Sequence, residues 1–145
     1  MGRNAGAAML IAIALGTASC QTLSGTGDSG ADFAKYRTSL ADAKGRMDQA
    51  AQNSDIATVS QAMGEIGHDF DAIEQKTSAM NLMDNESMKI QIATGRRTIT
   101  ETDRWVQVND AEAVRSQVAQ LDPVLGEIDV LLDRAVKSST TPATQ

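Results

Sequence analysis

The sequence predicts an all-α fold, an antiparallel up-down-up-down four-helix bundle, and three observations carry that prediction. Apolar residues return at alternating steps of three and four through four successive segments. Only four aromatic residues and two prolines occur among 145 residues, against abundant Ala, Gln, Asp and Met. The breaks between segments are short, and a short connection forces consecutive helices to run antiparallel.

The first helix is expected over 31–52, where Phe33, Tyr36, Leu40, Ala43, Met47 and Ala50 make one stripe. The second, over 54–80, carries Ile56, Val59, Met63, Ile66, Phe70 and Ile73, and its stripe continues through Thr77 to Met80. The fourth, over 110–137, shows Val114, Val118, Leu121, Leu125, Ile128, Leu132 and Ala135. Each stripe follows the 3.5-residue repeat of coiled-coil-like helices that pack side by side at shallow angles. The third segment, 86–107, keeps the spacing through Met88, Ile92, Gly95, Ile99, Thr102 and Val106. Its threonines (Thr94, Thr98, Thr100, Thr102) are poor helix formers, so a strand pair across "IQIATGRRTITET" is the alternative there.

Asn53 and Ser54 separate the first two helices, with Ser54 or Asp55 as the N-cap. "NLMDNES" separates the second and third, and Asn109 with Glu112 three residues on resembles a capping box before the fourth. Pro123 falls inside the last run without disturbing its phase, which predicts one kinked helix. Helices of about 27 residues at 1.5 Å rise make a bundle about 40 Å long. Residues 138–145 are polar and expected to be disordered.

Charge fits the same order. Net charge is −4 over 55–80 and −3 over 110–137, but +1 over both 31–52 and 86–107. In an up-and-down bundle each acidic helix then has basic neighbours on both sides. Such exposed pairs are worth only about 0–1 kcal/mol each, so they set pairing preference more than stability.

The N-terminus carries a different signal. Arg3 precedes an apolar run from Ala7 to Leu15, and small residues Gly16 to Ser19 lead to Cys20, the single cysteine. The run is too short for a bilayer core, which takes about 20 apolar residues, and reads as an export signal over 1–19. The stretch resembles the lipobox of bacterial lipoproteins, with Thr17 standing where that pattern prefers leucine. The resemblance implies that Cys20 is lipidated and becomes the new N-terminus. Gln21 beside it implies outer-membrane placement, facing the periplasm. Residues 20–30 then form the anchor and a Ser/Gly/Thr-rich tether. An ordinary cleaved signal with an incidental cysteine is the alternative.

Loss of residues 1–19 removes Arg3 and leaves 126 residues with 12 basic and 19 acidic side chains, net −7. That length suits one domain. An acidic chain without a basic run is unsuited to nucleic acid, whose affinity comes largely from phosphate neutralisation. Attachment to membrane is expected through the lipid and not through surface charge.

The architecture resembles the periplasmic cytochrome b562 and other small up-and-down bundles. Met47 lies in the first seam, but no histidine occurs in the fourth helix, so the resemblance does not extend to the haem ligands. His68, the single histidine, is expected to face solvent between Glu65 and Asp71, a weak metal candidate at most. Met80, Met83 and Met88 cluster around the second loop, and thioethers suit Cu(I). Met80 and Met88 fall on apolar stripes, where methionine is a common gap filler, which leaves Met83 as the copper candidate. No paired carboxylates share an inner face and no phosphate loop follows a strand, so no enzymatic activity and no cofactor are expected.

One stripe on the second helix suits partner docking. Ala57, Ser60, Gly64 and Gly67 recur at helical steps and lead to Asp71. Each intrahelical glycine costs about 1 kcal/mol against alanine. A neighbouring helix of the bundle fills the space, or the glycines are simply tolerated, or a partner segment docks there. The expected function is a non-enzymatic interaction or adaptor module of the cell envelope that meets another envelope protein, in the manner of pilotins. The alternative is a haem or copper carrier.

Overall fold

The computed structural model describes residues 29–140. The expected signal segment, Cys20, the tether as far as residue 28, and residues 141–145 lie outside that range. Four helices follow in order, α1 (Ser29–Gln52), α2 (Ile56–Lys76), α3 (Leu82–Gln107) and α4 (Ala111–Thr140). A 3-10 turn, Thr77–Ala79, follows α2, and no strand occurs among the described residues.

Cross-helix ion pairs display the antiparallel order. Asp32, early in α1, holds Lys76 at the end of α2 at 3.0 Å, and Arg46, late in α1, pairs with Glu65. Arg37 and Lys44 of α1 reach Asp129 and Asp122 of α4 at 2.7 and 2.9 Å, and Arg134 of α4 returns to Asp84 of α3 at 3.3 Å. Arg46, Arg37 and Lys44 of α1 and Arg96 of α3 pair with acids of α2 and α4 as the charge pattern predicts, but the α3–α4 pair runs the other way, from Arg134 to Asp84, because α3 begins early enough to include that aspartate. α1 packs broadly on α2 and α4, and α3 on α4; the α2–α3 seam is the thinnest.

The core draws on the expected stripes. Phe33, Met47, Met63, Ile66, Phe70, Ile73, Leu121, Ile128 and Leu132 are fully buried, with Met88 and Ile92 of α3. The threonine-rich segment is helical throughout. Its hydroxyls bond back along the helix: Thr98 donates to the Thr94 carbonyl at 3.2 Å and Thr102 to Thr98 at 2.7 Å. A threonine that bonds one turn back satisfies its buried hydroxyl and can sit in a core-facing position. Gly95 faces the Phe70 ring so closely that a Cβ there would lie 2.6 Å from Phe70 Cε2. The seam glycine therefore marks a close approach filled by an aromatic ring.

Several boundaries differ from the sequence expectation. Ser29 and Gly30 open α1 and do not belong to the tether, because Gly30 is packed on the last turn of α4, where a Cβ would lie 2.9 Å from Ser139 Cβ. α2 stops at Lys76, where the Thr77 hydroxyl donates to the Glu74 carbonyl at 2.9 Å and the chain tightens into the 3-10 turn. α3 starts at Leu82, four residues before the expected start, because Asn81 caps it. The Asp84 N–H donates to Asn81 Oδ1 at 3.0 Å and the Asn81 amide donates to Asp84 Oδ2 at 2.6 Å. α4 runs to Thr140, three residues into the expected tail, with the Ser138 and Ser139 hydroxyls donating to the Ala135 carbonyl. It passes Pro123 as one continuous helix.

The other two turns share one construction. Ser54 and Asn109 take left-handed φ angles of 58° and 57°. The next N–H, of Asp55 or Asp110, donates back to Ala50 or Trp105, closing a Schellman motif. That aspartate is at once the N-cap of the following helix, Asp55 accepting from the Thr58 N–H and Asp110 from the Ala113 N–H. Asn109, expected as the cap, instead ends α3. Its side chain tolerates the left-handed region better than most.

Candidate docking faces

The stripe on α2 lies on the outside of the bundle. Ala57 and Gly64 are exposed, Ser60 and Gly67 half-buried. A Cβ added at Gly64 or Gly67 would meet nothing within 4 Å, so no helix of the bundle fills this space. Asp71, the last member, turns toward α3 and accepts from Arg96 at 2.6 Å; Arg96 also holds Glu74 at 2.7 Å. The stripe thus splits into an open upper part and an end committed to the α2–α3 seam.

The open part borders a shallow groove of about 480 Å³ between α1 and α2, lined by Ser39, Gln61, Gly64, Glu65, His68 and Asp69. Arg46 of α1 donates from both terminal guanidinium nitrogens to the Glu65 carboxylate, and Gln61 donates to the same carboxylate at 3.4 Å. The hydrogen bond from Arg46 holds the Glu65 carboxyl below its usual range, and the same bond raises the Arg46 guanidinium. His68 is exposed, as its helical phase required.

Asp69 is the chemically unusual member. It is only 8% exposed, and its Oδ2 has no hydrogen-bond partner among the described residues. A buried acceptor left without a donor costs about 1–3 kcal/mol. Sequence reading passed over Asp69 because its phase, one residue before Phe70, places it on the shoulder of the seam. The signal was the run His68-Asp69-Phe70, a charged residue beside a core aromatic with no basic residue one turn away on α2.

Sequence reading also missed an apolar slot of about 200 Å³ between α1 and α4, walled by Leu40, Ala41, Leu125, Gly126 and Leu132. Its two ends are closed by the Arg37–Asp129 and Lys44–Asp122 pairs. Each pair of charges is spaced seven residues apart on its own helix, in opposite chain directions. That matched spacing was legible; the slot between the clamps depends on Gly126, whose missing side chain nothing replaces.

The methionines separate by burial. Met80 and Met88 belong to the core, while Met83 is exposed on the first turn of α3. Among the described residues no three His, Cys, Asp or Glu side chains are arranged to hold a metal ion. No described helix is long and apolar enough to cross a membrane. The chain matches no protein family, no curated protein and no solved structure.

Proposed function

We propose that this protein is a lipid-anchored, non-enzymatic interaction module of the bacterial envelope, held through Cys20 on the periplasm-facing side of the outer membrane. Its α1–α2 face docks another envelope protein. The observation that carries the docking reading is Asp69, a nearly buried side chain whose Oδ2 has no donor among the described residues, in a groove that Gly64 leaves open. Glu65 is already paired with Arg46, which leaves Asp69 Oδ2 open to a donor from a partner. A helical or extended segment carrying a basic or amide side chain fits that need. An adaptor that escorts a secretion-channel subunit, as pilotins do, is the specific form favoured here, on the analogy of a small helical lipoprotein.

The anchor is tested by growing cells with a clickable fatty acid: the wild-type chain takes up label and Cys20→Ser does not. Docking is tested by placing a photo-crosslinking residue at Gly64, and separately at Ala119 on the exposed side of α4, in living cells. A discrete adduct is expected from Gly64 alone, weakened by Asp69→Asn, and mass spectrometry identifies the partner. Absence of any Gly64 adduct from correctly localised protein would remove the docking reading.

A further inference from the structure

One end of the bundle gathers the start of α1, the end of α2, the start of α3 and the end of α4. Gly30 lies on Ser139, Asp32 holds Lys76, and Asp84 holds Arg134. At this same end Leu82 and Met83 are 76% and 81% exposed. They are the first two residues of α3. Helical Cα–Cβ bonds tilt toward the helix N-terminus, so both side chains lean off the end of the bundle. Neither serves the fold: Asn81 and Asp84 complete the cap, and Met80 and Met88 fill the core.

We propose that Leu82 and Met83 form a membrane-contacting knuckle that dips into the interfacial layer of the bilayer to which the chain is anchored. The proposal rests on the Cys20 anchor proposed above. Eight residues, 21–28, separate Cys20 from Ser29. Fully extended, that stretch reaches at most about 30 Å. The end carrying Ser29, Leu82 and Met83 is therefore held within about 30 Å of the lipid surface, while the far end lies about 40 Å farther along the bundle at 1.5 Å per residue. Anchoring converts a weak surface contact into an intramolecular one. Two apolar side chains then suffice, although the free acidic domain would have little attraction for anionic lipid. The contact would stand the bundle on end and turn the α1–α2 face sideways, toward neighbouring envelope proteins.

The test uses full-length protein purified from bacterial membranes with Met83→Cys or, as control, Val108→Cys at the opposite end, where Val108 is 66% exposed. Each is labelled with an environment-sensitive thiol fluorophore and reconstituted into phosphatidylethanolamine/phosphatidylglycerol vesicles containing a chain-bound lipid quencher. In the anchored chain the Cys20 sulfur is a thioether, so one label per chain is expected. Quenching at position 83 should exceed that at 108 several-fold, and Leu82→Glu beside the label should bring the two level. One label with equal quenching at both positions would overturn the lipid contact and leave the anchor standing. A blue shift at 83 without lipid quenching would assign the knuckle to a protein contact and overturn the proposal as well. Two labels per chain would overturn the anchor, and the proposal with it.

Discussion

α3 and α4 have similar lengths and share a seam, yet they are held in opposite ways. α4 buries Val114, Val118, Leu121, Val124, Leu125, Ile128, Leu131, Leu132 and Ala135. α3 buries Met88 and Ile92 as its only large apolar side chains, and otherwise Asp84, Gly95, Thr98 and Thr102. Ile90 and Trp105, which propensity alone would send inward, are exposed on it. α4 brings its own apolar ridge, whereas α3 offers a surface of small and polar groups into which others fit. The Phe70 ring seats on Gly95, and Arg134 and Arg96 supply cross-helix pairs at its two sides. Helicity in a bundle comes mainly from packing and not from propensity, and α3 shows how little apolar side chain a helix needs when its neighbours provide the rest.

The largest effect expected is on the α4 side. Leu132→Ala should cost about 2–5 kcal/mol, the range for a buried leucine truncated to alanine, seen as a lower urea midpoint. Ile90→Ala on the outer face of α3 should leave the midpoint nearly unchanged; a comparable loss would break the contrast between the helices. Hydrogen exchange should show α3 amides opening before those of α4, since regions with few buried apolar contacts open at lower free energy.

Gly95→Ala comes next. Overpacking a closed site costs about 1–3 kcal/mol and the propensity gain returns about 1, so a net loss of up to about 2 kcal/mol is expected. The Phe70 ring, fully buried among core side chains, would have to shift to admit the new Cβ. Gly64→Ala and Gly67→Ala, with open space before them, should instead stabilise by up to about 1 kcal/mol each. Opposite signs for the same substitution would sharpen the distinction between a glycine the core requires and glycines the fold does not.

The smallest effect is electrostatic. Hydrogen bonds from Arg46 and Lys137 hold the Glu65 and Asp133 carboxyls below their usual range, and the Thr58 hydroxyl does the same for Asp55. A depressed carboxyl contributes stability present above its unfolded pKa of about 4 and lost as pH falls through the folded value. Lys44 and Lys76 are raised, first by hydrogen bonds to Asp48 and Asp32. Their contribution is complete below about pH 10.4 and disappears above the folded value. Urea midpoints should therefore be level from about pH 5 to pH 10 and fall on either side, less steeply in high salt.

Much of this was legible along the chain. Alternating net charge anticipated the α1–α2, α1–α4 and α2–α3 pairs though not the α3–α4 one, and Arg37/Lys44 with Asp122/Asp129 carried a matched seven-residue spacing. The cap of α2 was legible only as Ser54 or Asp55, since both residue types cap helices; the structure makes Asp55 the cap and gives Ser54 the left-handed position. Asn109 was misread because a left-handed helix end and an N-cap favour the same residue type. The α2 glycines were visible as an anomaly, but whether a helix covered them was not, since phase alone does not say how far a neighbouring helix reaches across a seam. Asp69 needed the burial of its carboxylate, which depends on the opposite wall around Ser39.

By itself the sequence determined the four helices, their antiparallel order and the alternation of charge, because periodicity, short connections and composition are properties of the chain alone. It also holds the Cys20 signal, which lies outside the described residues. The tertiary structure decided which glycine is filled and which stand open, which carboxylate is stranded, and which end of the bundle carries Leu82 and Met83. Those depend on distances between residues remote in sequence, and only packing sets such distances.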